Sequence, residues 1–324
     1  MKKILVTGGA GFIGLHLAKY LAARDYELHM VDNFSRGVDD EDLANFLKLK
    51  NVKMIRGNLL ERDFLKTLTD DYQFIFHFAA IIGVANVLKE PYRVLTENVA
   101  LLENIIQFAR KQPLLRRLFF TSTSEVYAGA LANFQLTIPT PESAPLALTE
   151  LSHPRTSYML SKIYGEAMCQ HSGLPYTVVR PHNIYGPRMG MNHVIPELLK
   201  KGLSLESGVP LDVFSADHRR SFCYIEDAVL QLDAMMKSSS CENKVLNLGK
   251  QGPEITMEEV ARTVLKVLGK NNSLKPLEAT AGSPARRAPD MSLTKSLIGF
   301  EAKVELFDGV AQTYDWYKKN IFSK

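Results

Sequence analysis

Tyr158 and Lys162 stand four residues apart in a stretch of helical spacing, so both side chains leave one face of a helix. A free phenol titrates near ~10 and is a poor base at neutral pH. An ammonium group one turn away favours the phenolate and is expected to draw it toward the working range, where it takes a proton from a hydroxyl. Such a pair also recurs by chance on helices, so its weight comes from what lies upstream. Ser122-Thr123-Ser124-Glu125-Val126-Tyr127 follows an apolar run that reads as a central strand. Ligands of an open α/β sheet gather at the carboxyl ends of its strands. Thr123 is therefore placed to hydrogen-bond the hydroxyl that Tyr158 deprotonates.

A proton abstraction of this kind needs somewhere for the electrons to go. Gly8, Gly11 and Gly14 in Thr7-Gly8-Gly9-Ala10-Gly11-Phe12-Ile13-Gly14 follow the first apolar run directly and open a helical pattern. One glycine permits a tight turn, one lets the backbone approach a pyrophosphate, and one lets helix pack on strand. The helix N-terminus then offers free N–H groups and a positive dipole end to phosphates. Asp32 closes the next strand, where its carboxylate accepts from both hydroxyls of an adenosine ribose and repels a 2′-phosphate. NAD is the expected cofactor. Its oxidised nicotinamide adds a second positive charge that favours a Tyr158 phenolate.

Five short apolar runs alternate with helical patterns in the first half, as in a parallel sheet built from βαβ units. Strands are expected at Ile4–Thr7, Glu27–Asp32, Val52–Gly57, Phe74–His77, Leu118–Ser122 and Tyr176–Arg180. Helices are expected at Phe12–Ala23, Asp42–Lys48, Arg62–Leu68, Pro91–Arg110, Ser157–His171 and Tyr224–Lys237. The fold class is α/β, a doubly wound parallel sheet of the Rossmann kind, with a smaller discontinuous C-terminal substrate lobe. Residues 1–180 and 221–249 are assigned to the NAD-binding domain, and 181–220 and 250–324 to the lobe. The Pro-, Thr- and Ala-rich segment Ala128–Pro154 reads as a surface excursion near the site.

The 324 residues, 46% hydrophobic and 23% charged, exclude a disordered or fibrous chain. Three cysteines far apart make neither a disulfide framework nor a metal clip, so no metal is expected and the reducing cytoplasm is the expected compartment. The apolar start Ile4-Leu5-Val6 is too short for a secretory signal, and no run reaches a membrane span. With 39 basic and 35 acidic residues scattered along the chain, a small anionic ligand fits better than a nucleic acid.

Taken with TGGAGFIG at Thr7–Gly14, HFAA at His77–Ala80, Asn98, STSEVY at Ser122–Tyr127, RPHNIYGPR at Arg180–Arg188, Arg220-Ser221-Phe222 and Arg287-Ala288-Pro289-Asp290, the chain resembles a known family nearly end to end. This is the extended short-chain dehydrogenase/reductase family of NAD-dependent nucleotide-sugar epimerases, dehydratases and decarboxylases. The resemblance implies that Gly8, Gly11, Phe12, Ile13, Gly14, Asp32, Asn33, Asn58, Leu59, Ala79, Ala80, Asn98, Tyr158 and Lys162 hold NAD. It implies Thr123, Glu125, Tyr158 and Lys162 as catalytic. Ser124, Arg155, Asn183, Arg220 and Arg287 would hold the nucleotide sugar, a UDP-sugar in the first instance, with Arg220 and Arg287 at its diphosphate. It further implies oxidation at the sugar C4 to a ketone, a recycled cofactor, and a homodimer. In two places the chain departs from the pattern: Asn58 stands where the family has Asp, and Ala128 where it has Gly.

What becomes of the ketone decides the enzyme. Family dehydratases carry Asp and Glu after the threonine, and here the pair is Ser124 and Glu125, which argues against dehydration. A glucuronate carboxylate is already β to a C4 ketone, so decarboxylation needs little more. STSEVY, the Pro154-Arg155 spacing and Arg220-Ser221-Phe222 resemble decarboxylases, and Arg155 is expected to pair with a substrate carboxylate. Epimerisation needs only rotation of the keto sugar, and Gly83-Val84 and Val194-Ile195-Pro196 resemble epimerases. A nucleotide-hexose or hexuronate 4-epimerase is the leading expectation and UDP-glucuronate decarboxylase the alternative. A non-catalytic NAD-binding sensor is a third reading, which the retained Thr123, Tyr158 and Lys162 oppose.

Overall fold

The computed structural model describes residues 1–279 and 284–323. Residues 280–283 and 324, within the expected lobe, lie outside the described residues. The first half runs β1 (Lys3–Thr7), α1 (Phe12–Ala22), β2 (Glu27–Asp32), α2 (Glu41–Phe46), β3 (Val52–Arg56), α3 (Arg62–Leu65), β4 (Phe74–His77), α4 (Val84–Lys89), α5 (Pro91–Ala109), β5 (Arg117–Thr121), α6 (Ala128–Asn133), α7 (Pro154–His171) and β6 (Tyr176–Pro181). Then follow β7 (Ile184–Tyr185), α8 (Val194–Ser204), β8 (Leu211–Phe214), β9 (Arg219–Arg220), β10 (Cys223–Tyr224), α9 (Ile225–Lys237), β11 (Lys244–Leu248), β12 (Ile255–Thr256), α10 (Met257–Val267), β13 (Leu274–Leu277), β14 (Arg286–Arg287), α11 (Ser292–Ile298) and α12 (Leu306–Tyr317).

Seven strands form one sheet in the order β11-β6-β5-β4-β1-β2-β3. The pairs from β6 to β3 are parallel. Strands buried on both faces read as unbroken apolar runs, which is why Ile4-Leu5-Val6 and Phe74-Ile75-Phe76 were visible without alternation. Leu5, Ile75, Leu118, Phe120 and Val178 of the sheet pack with Leu101, Leu102, Ile105 and Phe108 of α5 and Cys169 of α7. At ~1.5–3 kcal/mol per large side chain removed from water, this layer fixes α5 and α7 on the sheet. The strand order reverses between β1 and β4, whose last residues Thr7 and His77 are register partners. Thr7 Oγ1 and His77 Nδ1 meet there at 2.8 Å. Both helices begin on proline, at Pro91 and Pro154, where a missing N–H costs nothing.

The chain divides into two compact units. One comprises residues 1–135, 144–181 and 232–246, the other 136–143, 182–231 and 247–323 of the described chain. Compared with the expected boundaries, 136–143, 221–231 and 247–249 group with the second unit and 181 with the first. The segment Ala128–Pro154 runs along the surface as expected, all but three of its residues exposed or half-buried. It opens with α6, in which Gly129 and Ala130 are buried, and its Thr140 is buried in a bridge to Pro289. In the second unit β7 pairs with β10, β8 with β13, and β9 lies between β12 and β14. Among the described residues no helix is long and apolar enough to cross a membrane, and no cluster of His, Cys, Asp or Glu is placed to hold a metal ion.

Candidate active site

The turn between β1 and α1 is shaped as a dinucleotide cradle requires. Gly8 sits at φ +68°, a left-handed conformation, and a Cβ there would lie 2.8 Å from the Ala79 nitrogen. A Cβ on Gly14 would run into the Gly8 carbonyl oxygen. Asp32 is 9% exposed and its two oxygens accept from Ala10 N at 3.0 Å and Phe34 N at 2.8 Å, which orients the carboxylate at the end of β2. These features fit NAD: glycine where a pyrophosphate must approach, and an oriented acid where a ribose ends. The other expected contacts fall into two sets. Phe12 and Ile13 open α1, and Ala79 and Ala80 follow β4, with Ala79 N donating to Thr7 Oγ1 at 3.4 Å. Asn33 Oδ1 accepts from Ser35 N at 3.0 Å, and Asn58 Oδ1, next to buried Leu59, accepts from Leu60 N at 3.1 Å. Asn98 acts as a pin: its Oδ1 accepts from Ile81 N at 2.7 Å, and its Nδ2 donates to Ile81 O at 3.0 Å and Ser161 Oγ at 3.3 Å. That ties the loop after β4 to α7.

At the other side of the sheet switch, Thr123 caps the 3₁₀ turn Ser124–Tyr127, its Oγ1 accepting from Glu125 N at 3.2 Å. The strand ends one residue earlier than expected, at Thr121, and the extended backbone of Thr123 carries the chain off the sheet edge. Its hydroxyl hydrogen-bonds the Tyr158 phenol, which lowers that group's pKa. The net direction is nevertheless upward. Loss of water around the phenol dominates, and the Glu125 carboxylate adds to it, so Tyr158 titrates well above its ordinary value. Lys162 does not reverse this as its spacing suggested. Its Nζ donates to the Thr121 carbonyl at 2.8 Å and lies 5.8 Å from the centre of the Tyr158 ring. The positive charge that does draw the phenol down is Arg36. Burial also costs Lys162 its proton readily: at 5% exposed it is lowered to about 8. Arg155, expected at a substrate carboxylate, stands 3.7 Å from Glu125. Ser124 beside it is buried.

In the second unit Asn183, Arg220 and Arg287 line one cavity of about 340 Å³, together with Phe214, His218 and Met257. Arg220 of β9 and Arg287 of β14 are register partners on adjacent strands. Like charges set directly opposite are destabilising, so an anion is the natural complement. Arg220 is held by backbone carbonyls, donating to Arg219 O at 2.8 Å and Pro284 O at 2.7 Å. Arg287 Nη2 donates to Asn183 Oδ1 at 3.3 Å, and Asn183 Nδ2 to Ser221 O at 3.0 Å. Asn183 occupies φ +42°, a conformation asparagine tolerates better than most residues.

A model of the NAD dependent epimerase/dehydratase family matches residues 4–249. The chain belongs to this family. It is accordingly an enzyme, and NAD is its cofactor. A UDP-N-acetyl-alpha-D-glucosaminuronate decarboxylase of Bacillus cytotoxicus is 30% identical over 333 residues, 98% of each chain. A UDP-glucuronic acid decarboxylase of Xenopus tropicalis is 29% identical over 99% of this chain and 73% of its own. Among solved structures, a UDP-glucose 4-epimerase of Thermotoga maritima with UDP-glucose superposes with a TM-score of 0.84 at 26% identity, over 98% of this chain and 99% of that one.

Several groups beside these residues in one unit or the other were given no role by the sequence reading. Arg36 acts on Tyr158 from the loop after β2, across more than a hundred residues. His218 is 7% exposed at the cavity wall, and its Nδ1 has no hydrogen-bond partner among the described residues. Glu166, Arg180 and Ser122 form a buried network behind Thr123. Ser122 and Arg180 lie in motifs the sequence reading quoted and Glu166 lies one turn past Lys162, but no spacing shows that the three meet.

Proposed function

We propose that the chain oxidises the sugar of a UDP-linked hexuronate at C4 and that the keto sugar then loses its carboxylate. NAD, when bound, supplies the acceptor for a hydride from the carbinol carbon and can return it. The carrying observation is the Tyr158 phenol hydrogen-bonded by Thr123, with the Glu125 carboxylate close enough to raise it. Thr123 orients the sugar hydroxyl, and Tyr158 takes its proton at the phenolic oxygen. Lys162, in mid-helix one turn from Tyr158, is fixed on the Thr121 carbonyl. Arg220, Arg287 and Asn183 bind the diphosphate, and Glu125, on taking up a proton from solvent, can pass it to the carbon left behind by CO2. Curated relatives at 28–31% identity over at least 95% of this chain are named as uronate decarboxylases, and this supports the lyase outcome.

Epimerisation at C4 is the second reading, favoured by the fold-wide likeness to the Thermotoga maritima epimerase. It uses the same residues and differs only in rotation of the keto sugar. Incubation with UDP-glucuronate, its N-acetylated analogue and neutral UDP-hexoses, followed by mass analysis, separates the two. A product lighter by CO2 establishes decarboxylation, and an isobaric product from either class establishes epimerisation. No turnover of any of them by NAD-loaded protein overturns both. The homodimer belongs to the same proposal and is tested by the mass of the protein in solution.

A further inference from the structure

Glu166 lies one turn beyond Lys162 on α7 and is 2% exposed. Ser122 Oγ donates to its Oε1 at 2.5 Å. Arg180 of β6, 4% exposed, donates Nε to Oε1 at 2.9 Å and Nη2 to Oε2 at 2.6 Å, a bidentate grip. The remaining arm of Arg180, Nη1, donates to the Tyr127 hydroxyl at 2.7 Å. Ser122 and Tyr127 are the two ends of the segment that carries Thr123, Ser124 and Glu125. One buried carboxylate on the helix of Tyr158 and Lys162 is thus tied to both ends of the segment that faces them.

A buried ion pair is poor cement. Its desolvation cancels much of its attraction, and apolar replacements are often neutral or stabilising. What such a pair does well is hold groups in one geometry, and here the groups are those whose misplacement by about 1 Å would cost on the order of 10²-fold in rate. We propose that Glu166, neutralised by Arg180, is the positioning residue of this site: acting through Ser122 and Tyr127, it fixes the 122–127 segment on α7 and so sets the Thr123 hydroxyl on the Tyr158 phenol. This rests on the reading of Tyr158 as the base. The Glu166 charge also counters the burial that lowers Lys162, so the same carboxylate supports the ammonium one turn away.

The test uses the full-length, NAD-loaded chain with Ser122→Ala, Ser122→Thr and Glu166→Gln. Ser122→Ala removes one hydrogen bond and leaves the ion pair intact, so it decides the matter even where Glu166→Gln does not fold. Expected for Ser122→Ala is a kcat lowered by about 10-fold or more with KM little changed, and a pH profile whose Tyr158-dependent limb moves to higher pH, because the Thr123 hydrogen bond no longer favours the phenolate. Ser122→Thr, which keeps the hydroxyl, restores both. A Ser122→Ala protein with a lower melting temperature but unchanged kcat and pH profile makes the network structural only and overturns the proposal. If no sugar nucleotide is turned over, the proposed function has failed, and the phenolate absorbance of NAD-loaded protein, with Tyr158→Phe as the blank, still decides. A higher midpoint in Ser122→Ala supports the positioning role, and an unchanged one refutes it.

Discussion

The guanidinium of Arg155 stands 3.7 Å from the carboxylate of Glu125, joining the first turn of α7 to the 3₁₀ turn after Thr123. Both side chains keep roughly a third of their exposure (30% and 28%), and the separation is long for a salt bridge, so its stability contribution is ~0–1 kcal/mol. Its consequence is electrostatic, since Glu125 is one of the groups that raise Tyr158. Arg155→Ala is therefore expected to leave the melting temperature nearly unchanged and to lower kcat, with KM for a UDP-hexuronate held within about twofold. Steady-state kinetics with a hexuronate and a neutral hexose check this. A loss confined to KM of the hexuronate would return Arg155 to the substrate carboxylate.

Tyr158→Phe removes only the phenolic oxygen. A positioned acid–base group contributes about 10²–10⁴-fold, and turnover is expected to fall by that much while NAD remains bound. Retained cofactor is read from the absorbance of the purified variant. Near-normal turnover removes Tyr158 from the proton-transfer role.

Lys162 supplies a pH signature. Its folded pKa, lowered by burial to about 8, lies below the unfolded value of ~10.4. Below pH 8 both states carry the proton, and the folded chain bears the full cost of a buried ammonium. Between 8 and ~10.4 the folded chain releases the proton while the unfolded chain retains it, so stability rises with pH. Above that window the cost is gone. At ~1.4 kcal/mol per unit the gain is about 3 kcal/mol. Melting curves from pH 7 to 10 are expected to show wild type gaining on Lys162→Met across this window, and a constant gap between the two proteins would refute the buried-ammonium account.

What was legible in the sequence is what depends on local chain chemistry. Continuous apolar runs marked the inner strands such as β1 and β4, since strands covered on both faces need no polar partner side, and all six strands from Lys3 to Pro181 fall within a residue or two of expectation. Glycines at 8, 11 and 14 marked the cradle because only a missing side chain fits there. The second unit was less readable. Its two-residue strands β9 and β14 are too short to show a period, although they carry Arg220 and Arg287. The helix α10 had a readable start in Thr256 and Glu259, a capping box with both reciprocal bonds formed, inside a stretch dominated by Gly and Pro signals. Spacing reports which residues share a helix face, and neither the burial of the phenol, which raises it, nor the turn of Lys162 toward Thr121 is written in spacing.

Asp32 carries the remaining prediction. Its oxygens are already aimed by Ala10 N and Phe34 N, so the carboxylate is preorganised rather than recruited by ligand. Asp32→Asn keeps the size and one acceptor oxygen but removes the charge. A hydrogen bond to a charged group is worth ~1.5–3 kcal/mol, so NAD affinity is expected to fall at least about 10-fold. Affinity for NADP falls less, because the same charge that binds the ribose hydroxyls repels a 2′-phosphate. Calorimetric titration of both cofactors into both proteins measures the ratio directly. If the preference for NAD over NADP is the same in Asp32→Asn as in wild type, the discrimination lies elsewhere, and the role of Asp32 shrinks to ordering the loop after β2.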